Sequence, residues 1–448
     1  MSQYSSTAAA NINKLTISSN TDGEVVDISA ITPEISYYES VLSNTITATL
    51  VVAESGYESK GKDTLATQGL LDGLPIRGGE RVDVDIEDQQ GNKLSFKQGL
   101  YVNRARNATP GTQKDVYFID LCSKEYFANE QTRVVKRYEG KISDSVSSIL
   151  TEVLKSKGGS FNIDSTAIDY NFIGNDRKPL YTCTWLASKS VPLGSGKGKN
   201  SIGGAAGYLF FQTREGFNFR SIDTIFDQTV NKRYIYNNSG KNPADGYDGN
   251  VLSYDIDRDV DMKDSLATGA YNNRSIFFDF YSMNYKVVEY DIGKQKNKIT
   301  TAGKKFAPSQ VAREFTQSPT RLFSHVLDVG TIPRGATSDA QLKNWQDNKQ
   351  SSNYDAERSM VQSVMRYNQL FAVQINITIA GDFSIKAGDL VYCDFPELKG
   401  ESGLEVNDQS GGIYMVAHVC HRITPQDSFS SLSLVRDSFG KNTGFTNK

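Results

Sequence analysis

Residues 31–56 are the stretch of the sequence that most constrains the fold. Apolar side chains occupy every second position from Ile46 to Val52, and threonines occupy positions 45, 47 and 49. This period of two, with β-branched residues, predicts a strand half buried against a core. Residues 35–42 alternate in the same way, and only a tight connection fits between the two segments. The stretch therefore predicts a β-hairpin.

The outer face of this hairpin carries threonine and tyrosine side chains, which are neither charged nor strongly apolar. Such a face suits a surface that contacts other protein chains, because tyrosine is enriched at protein interfaces. An ordinary hairpin in an ordinary β-domain would show the same pattern. The hairpin alone leaves both interpretations open.

Further strand-like segments extend the β-structure in both directions along the chain. Residues 11–122 predict one β-domain of six or seven strands, either a barrel or a sandwich. Residues 207–226 predict a hairpin that turns at Glu215-Gly216, and we expect this hairpin to complete the first β-domain. Residues 366–440 contain several alternating segments and predict a second β-domain.

Helical and mixed segments separate the two β-domains. The clearest helix is predicted at residues 142–155, where apolar side chains form one stripe at helical spacing. The predicted fold class is α+β, mainly β, with two β-barrel or sandwich domains and inserted α/β domains. The predicted division is residues 1–122 with 205–235 as the first β-domain, 123–204 as an inserted α/β domain, 236–365 as a second α/β domain, and 366–448 as the second β-domain.

Composition limits the classes of function. The chain has 448 residues with 49 Lys and Arg against 52 Asp and Glu, a net charge of −3. A dedicated nucleic-acid binder usually carries a basic excess, so this balance argues against that class. The four cysteines form no CxxC motif and indicate a reducing compartment. The polar N-terminus does not resemble a signal peptide, and no apolar run approaches the ~20 residues of a membrane span.

Two motifs resemble metal sites without meeting their requirements. His418, Cys420 and His421 are close in sequence, but on a strand His421 would point away from the other two. The run from Asp255 to Asp259 lacks the glycine and glutamate of a calcium loop, and alternation along a strand explains it better. That interpretation makes an acidic stripe, either a solvated face or the side of a channel that repels a polyanion.

The sequence also contains no recognisable catalytic or cofactor motif. The Gly/Lys segment at residues 194–207 fails the spacing of a phosphate-binding loop and is predicted to be a mobile loop. No GxSxG motif is present for a nucleophilic serine. We therefore predict no catalytic residues, no cofactor and no metal, and a protein that is not an enzyme.

Several blocks of the sequence, in their order along the chain, resemble the baseplate hub proteins of contractile-tailed, T-even-type bacteriophages. Residues 35–56 resemble the first hairpin of the family's tube domain, and residues 123–150 resemble the start of its inserted domain. Residues 207–226 resemble the hairpin that returns to the tube domain. Residues 318–330 and 359–391 resemble later parts of these proteins.

The resemblance implies a structural virion protein of the tail baseplate, assembled in the host cytoplasm. In that family each subunit of a homotrimer contributes two tube domains, and the six domains form a pseudo-hexameric ring. This ring joins the six-fold tail tube to the three-fold central spike. The implied partners are the spike, the tail tube or tube-initiator proteins and the surrounding baseplate wedge proteins. DNA would pass through the lumen during genome ejection without specific binding, and no membrane is involved.

Strand faces would then form the contacts between chains. The candidate interface residues are Tyr37, Tyr38, Thr45, Thr47, Thr49, Gln374, Asn376 and Thr378. Two alternatives remain. The chain could be the hub of a bacterial type VI-like injection system, although such hubs are normally fused to a spike and no spike repeat is found here. It could also be a tail-associated cell-wall hydrolase.

Overall fold

The structure is a computed structural model, and it confirms a mainly β fold of the α+β class, with 45% strand and 17% helix among the residues that it describes. It describes residues 7–21, 23–54, 70, 74, 76–109, 115–157, 159–193, 204–236, 243, 245–257, 261–280, 283–291, 299–306, 311–328, 353, 356–396 and 407–441. Most of the predicted loop at 194–207 therefore lies outside the described residues.

The strands are numbered in chain order. They are β1 Asn11–Ser18, β2 Val25–Asp27, β3 Glu34–Ser40, β4 Thr47–Glu54, β5 Arg81–Glu87, β6 Lys93–Ser95, β7 Leu100–Thr109, β8 Asp115–Cys122, β9 Arg137–Tyr138, β10 Ser160–Ile163, β11 Phe172–Ile173, β12 Tyr208–Thr213, β13 Gly216–Ser221, β14 Lys232–Ile235, β15 Gly249–Asp257, β16 Asn272–Asp279, β17 Asn284–Asp291, β18 Lys305–Phe306, β19 Arg321–Val326, β20 Val373–Ala380, β21 Leu390–Asp394, β22 Gly412–Ile423, β23 Ser428–Arg436 and β24 Ser438–Phe439.

Helices are fewer than strands among the described residues. They are α1 Lys124–Gln131, α2 Ile142–Ser148, α3 Pro179–Ala187, α4 Ile222–Phe226, α5 Met262–Thr268, α6 Arg313–Thr316 and α7 Ala356–Leu370. The helix predicted at residues 142–155 is confirmed as α2, which runs directly into a π-helical turn at Ile149–Val153. Its apolar stripe packs in the core of the inserted segment, as the spacing of Ile142, Val146 and Leu150 predicts.

One sheet of 14 strands contains most of the β-structure. We define the first module as β1, β3, β4, β5, β7 and β8, and the second module as β14, β15, β20, β21, β22 and β23. The pairing of β3 with β22 joins the two modules into a single sheet. Each module has its own apolar core, with Leu15, Leu50 and Ile119 in the first and Ile377, Val416 and Leu434 in the second.

The two modules share one strand order. Across the sheet the first module runs β3-β4-β8-β7-β5-β1, and the second runs β15-β20-β23-β22-β21-β14. Strands at the same position in these two series are equivalent, for example β3 and β15, or β7 and β22. The equivalent strands also follow each other in the same order along the chain. The second module closes into a ring, because β14 pairs with both β21 and β15 while β22 pairs with β23. No pairing of β1 with β3 closes the first module within the described residues.

The hairpin predicted at residues 31–56 is confirmed. β3 pairs antiparallel with β4, with Tyr37 opposite Ala48 and Ile35 opposite Leu50. The inward positions of both strands are buried, which follows from the period of two. Residues 41–46 connect the two strands, so the connection is longer than the sequence predicts.

The second predicted hairpin exists, but its predicted place in the first β-domain is wrong. β12 and β13 pair with each other, and β13 pairs with β10 of the inserted segment instead of with a strand of the large sheet. Every residue of β12 is buried. Phe210 and Phe217 stack in the core of the inserted segment, while Leu209 and Phe211 pack on its other side. A hairpin that is apolar on both faces is stable only between two layers, which explains this position.

Two strands also cross the predicted domain boundaries. β14 was expected in the first β-domain and β15 in the second α/β domain, yet both belong to the ring of the second module. Without them β20 and β21 would each present an unpaired edge, so ring closure accounts for their recruitment. The remainder of the second α/β segment carries the three-stranded sheet β17-β16-β19 and helix α7.

Candidate functional site

The junction between the modules is an antiparallel strand pair inside one chain. β3 and β22 pair over six residues each, from Ser40 opposite His418 to Ile35 opposite Ile423. The first part of β22 pairs instead with β21, from Leu390 opposite Met415. On this edge β22 therefore pairs first with β21 of its own module and then with β3 of the first module. This change of partner makes the two modules one continuous sheet.

A row of polar side chains crosses this junction on one face of the sheet, which we call the polar face. Successive pairings place six residues side by side: Thr47, Tyr38, Cys420, Ser431, Thr378 and Ser253. The row spans both modules and contains no formal charge. It lines a cleft of 590 Å³ that opens on this face.

Five of the eight predicted interface residues lie in this cleft: Tyr38, Thr45, Thr47, Asn376 and Thr378. Gln374 is exposed on the same face of β20. Thr49 is half-buried beside them and donates a hydrogen bond of 3.1 Å to Asp120. Alternation along each strand places these side chains on one face, and the strand pairings join residues from distant parts of the chain into one surface. Whether another chain binds there remains a prediction.

Tyr37 differs from the other seven, and its assignment to an interface is corrected here. Its side chain is buried, with 1% exposure, and its hydroxyl donates a hydrogen bond of 2.8 Å to Glu39. Its ring stacks on the imidazole of His421, with centroids 6.2 Å apart. Period two places Tyr37 on the inward face with Ile35, so the burial was readable from the sequence.

Glu39 connects three parts of the chain below the junction. Its carboxylate accepts backbone hydrogen bonds of 2.9 Å from Arg214, in the turn between β12 and β13, and from Ala387, before β21. Burial raises the pKa of this carboxyl, and the donated hydrogen bonds oppose that shift. Sequence analysis missed Glu39 as a key residue, because its partners are backbone groups far away in sequence.

His421 is the second buried polar group at the junction. Its Nδ1 lies 2.8 Å from the Ser430 hydroxyl, and its Nε2 lies 3.3 Å from the carbonyl oxygen of Ile385. Burial lowers the pKa of this imidazole to about 3, with the nearby Arg214 as a smaller cause. His421 is therefore neutral at pH 7. His418 lies on the exposed face of the same strand, so the prediction that 418 and 421 point apart is confirmed.

The described part of the chain offers little other chemistry. Within it, no group of three or more His, Cys, Asp or Glu side chains is arranged to hold a metal ion. Burial raises the pKa of the Cys122 thiol to about 12, and it raises the pKa of the buried Cys183 thiol as well. Both thiols are therefore protonated at neutral pH and poor nucleophiles. No described helix has the length and apolar character needed to span a membrane.

The first part of the predicted acidic stripe, from Asp255 to Asp257, is confirmed as part of a strand. β15 ends at Asp257, and Asp255 is exposed on it and lines the cleft of the polar face. Residues 258–260 lie outside the described residues. Asp261 caps helix α5 through a hydrogen bond of 2.8 Å from the Asp264 backbone to its carboxylate. The stripe therefore marks one strand edge of the second module.

A turn that precedes β5 recurs before β21. Residues 76–85 read IRGGERVDVD and residues 385–394 read IKAGDLVYCD. Gly79 and Gly388 occupy the same position, and each has φ of +87°. This backbone conformation favours glycine, because a Cβ atom would be strained there. The repeat was overlooked in the sequence because the two copies are short and far apart.

The hydrogen bonds of the two turns also match. The Gly79 amide donates to the Val102 carbonyl at 2.7 Å, and the Gly388 amide donates to the Val416 carbonyl at 2.8 Å. The return bonds, from Val102 to Glu80 and from Val416 to Asp389, are both 2.9 Å. Val102 of β7 and Val416 of β22 are thus equivalent residues. The modules correspond residue by residue at this turn as well as strand by strand.

No protein-family model matches the sequence, and no curated protein matches it. Among solved structures, the tail protein from Neisseria meningitidis MC58 aligns with a TM-score of 0.51 and 10% identity, over 95% of this chain and 97% of that chain. The 43 kDa tail protein of prophage MuSo2 from Shewanella oneidensis aligns with a TM-score of 0.49 and 10% identity, over 95% and 98%. Prophage tail protein gp18 from Listeria monocytogenes EGD-e has a TM-score of 0.43 and 10% identity, over 94% of each chain. On the first of these alignments, the chain shares the fold of the Neisseria tail protein over nearly its whole length.

Proposed function

We propose that this chain is the structural hub of a contractile phage tail baseplate. Three copies would form a ring around a central hole, and the ring would join the six-fold tail tube to a three-fold spike. The observation that carries the proposal is the pair of modules with one strand order, joined edge to edge in a single sheet. The fold shared with a tail protein supports the same assignment.

The duplication matters because it reconciles two symmetries. A threefold ring of chains that each contain two similar modules presents six similar modules in a circle. Such a ring can contact six tube subunits on one side and three spike subunits on the other. A single module per chain could match only one of these partners.

The charge of the chain suits a passage for DNA. Basic side chains bind phosphate and would hold a passing duplex, whereas this chain has a net charge of −3. DNA would therefore slide past the hub without specific binding. The exposed predicted interface residues, without Tyr37, are our proposal for contacts with neighbouring tail proteins.

Light scattering after size exclusion tests the oligomeric part of the proposal. The expected mass is three times the 49.5 kDa of the chain. A single species of one chain mass at tens of micromolar would contradict the proposal. A cell-wall digestion assay on the same sample tests the structural role, with no release of soluble fragments expected above a buffer control. Lysis at the rate of a purified muramidase would favour the hydrolase alternative instead.

A further inference from the structure

We infer that neighbouring copies of this chain join through a second edge-to-edge strand pair, which copies the junction between the modules. In this pair the outer part of β7 runs antiparallel to the outer edge of β15 in the next copy, with Arg106 opposite Asp257. The inference rests on the proposed ring and deepens it, because it assigns the surface through which the subunits meet.

The equivalence of β7 with β22 provides the first half of the register. Both strands have an irregularity at the same place in their pairing with the next strand, between Val102 and Arg104 in β7 and between Val416 and His418 in β22. The matching turns independently make Val102 equivalent to Val416. Counting on from there, Arg106 of β7 corresponds to Cys420 of β22.

The equivalence of β3 with β15 provides the second half. In the first module Ile35 pairs with Leu50, which pairs with Ile119. In the second module Tyr254 pairs with Ile377, which pairs with Leu432. Ile119 pairs with Ala105 of β7, and Leu432 pairs with Val419 of β22. Ala105 and Val419 each lie three positions after the equivalent residues Val102 and Val416, so Ile119 and Leu432 are equivalent too.

Ile35 therefore corresponds to Tyr254, and three positions further along Tyr38 corresponds to Asp257. Within the chain, Cys420 of β22 lies opposite Tyr38 of β3. Replacing each residue by its equivalent places Arg106 opposite Asp257. The register of the proposed junction thus follows from the one that the chain already contains.

Both strands have the free edge that this pairing needs. β7 pairs with β5 only at Leu100 and Tyr101, and beyond Val102 no described strand pairs with that edge. The equivalent edge of β22 also has two parts: the first part pairs with β21, and the outer part pairs with β3. β15 pairs with β14 only at Gly249 and Asn250, so among the described strands its outer part pairs with β20 alone. Unpaired strand edges are templates for pairing with another chain.

The burial of equivalent residues shows what is missing at these edges. Val419, beside the internal junction, is 1% exposed, whereas its equivalent Ala105 in β7 is exposed. Ile35 of β3 is 2% exposed, whereas its equivalent Tyr254 in β15 is only half-buried. Positions that face a core in one copy of the module are open in the other, as expected if a neighbouring chain covers them.

Charge identifies the occupant as a second copy of this chain. The free part of β7 carries Arg104 and Arg106, and the free part of β15 carries Asp255 and Asp257. Opposite charges on facing strands favour pairing, and like charges oppose it. The Arg106 guanidinium lies 3.3 Å from Asp120 and its side chain is 49% exposed, so it is accessible to a second carboxylate. At the junction inside the chain, the residues equivalent to Arg106 and Asp257 are Cys420 and Tyr38, which are uncharged. Charge therefore distinguishes the junction between chains from the junction within a chain.

Disulfide trapping tests the register directly. The variant Arg106→Cys with Asp257→Cys should form covalent dimers and trimers under mild oxidation, resolved on a non-reducing gel. The matched control is Arg106→Cys with Ser253→Cys, because Ser253 is exposed on the same strand about 13 Å further along. We expect at least fivefold more cross-linked chain in the first variant. Equal cross-linking in the two variants, or none in either, would overturn the assigned register.

A charge swap provides a second test that does not depend on cysteine. Arg106→Asp should raise the concentration at which half of the trimer dissociates by at least tenfold, and Asp257→Arg should do the same. The double variant with both changes should restore the wild-type value. Circular dichroism of each variant checks that the subunit remains folded. Failure of the double variant to recover, while both single variants are folded, would contradict the inferred placement of position 106 opposite position 257.

The outcomes separate this inference from the proposed function. A wild-type trimer that is insensitive to both tests would leave the hub proposal standing and overturn the assigned junction. A chain that stays monomeric and forms no cross-links would overturn both. A trimer that responds to both tests supports both.

Discussion

Glu39 accepts a hydrogen bond of 2.8 Å from the Tyr37 hydroxyl, and both side chains are buried where the two modules meet. The same carboxylate accepts two backbone amides, from Arg214 and Ala387. One acidic side chain thus connects the joining strand, the β12–β13 turn and the repeated turn before β21. Because Tyr37 and Ala387 are buried and Arg214 is half-buried, the stability of the junction depends on keeping the acceptor in place.

Replacing Glu39 by alanine should destabilise the protein by about 2–4 kcal/mol. The change leaves backbone amides without an acceptor, and each unsatisfied buried group costs about 1–3 kcal/mol. Urea denaturation followed by circular dichroism measures the loss. The control is Glu34→Ala on the same strand, which removes a half-exposed ion pair with Arg422 and should cost at most about 1 kcal/mol. Equal losses of stability in the two variants would contradict the role of Glu39 as a buried acceptor that stabilises the junction.

The repeated turn offers a matched pair of glycine substitutions. Gly79→Ala should cost about 1–2 kcal/mol, because alanine is strained at a φ of +87° but meets no atom closer than 3.9 Å. Gly388→Ala should cost clearly more, because its Cβ atom would lie 2.8 Å from the Phe211 ring. Thermal denaturation of the two variants gives the order. A larger loss at Gly79 would contradict the description of these turns.

Arg366 of helix α7 is buried between two carboxylates. Its guanidinium lies 3.0 Å from Asp223 and also pairs with Asp437, and its side chain is 2% exposed. Arg366→Met should destabilise the protein by about 3–5 kcal/mol, because two buried carboxylates lose their counter-charge. Arg422→Ala, which breaks an exposed pair, should cost about 1 kcal/mol or less. The urea midpoints of the two variants decide between a structural and a dispensable role for Arg366.

His421 should make the protein sensitive to acid. Its folded-state pKa is about 3 and the unfolded value is near 6.5, so the unfolded chain binds the extra proton between these limits. This group's contribution to stability is complete above pH 6.5 and is lost as pH falls, by about 1.4 kcal/mol per pH unit. His421→Asn should remove that part of the slope relative to wild type. His418→Asn, on the exposed face of the same strand, should change the slope less; equal effects would contradict the assignment.

The sequence was informative where burial alternates along a strand. The period of two in residues 31–56 predicts the hairpin, its inward face and three residues of the cleft, Tyr38, Thr45 and Thr47. It could not give the pairing of β3 with β22, because nothing local encodes a contact between strands so far apart in the chain. It also misplaced the β12–β13 hairpin, since β12 is buried on both faces and its pattern does not say which sheet it joins.

The remaining errors have the same physical origin. β14 and β15 are assigned to the second module by ring closure, a property of the whole sheet that no single segment expresses. Glu39 and His421 lie at inward positions, but a polar residue at such a position does not reveal its partners. The turn repeat at Gly79 and Gly388 is visible in the sequence and by itself indicates the duplication.

Electron microscopy of the purified particle tests the central claim most directly. Class averages viewed along the axis should show a closed ring with a central hole, threefold symmetry, and six similar lobes arranged in three pairs. The two lobes of each pair would be the two modules of one chain. Particles that lack a central hole, or rings whose lobes do not number six, would contradict the account.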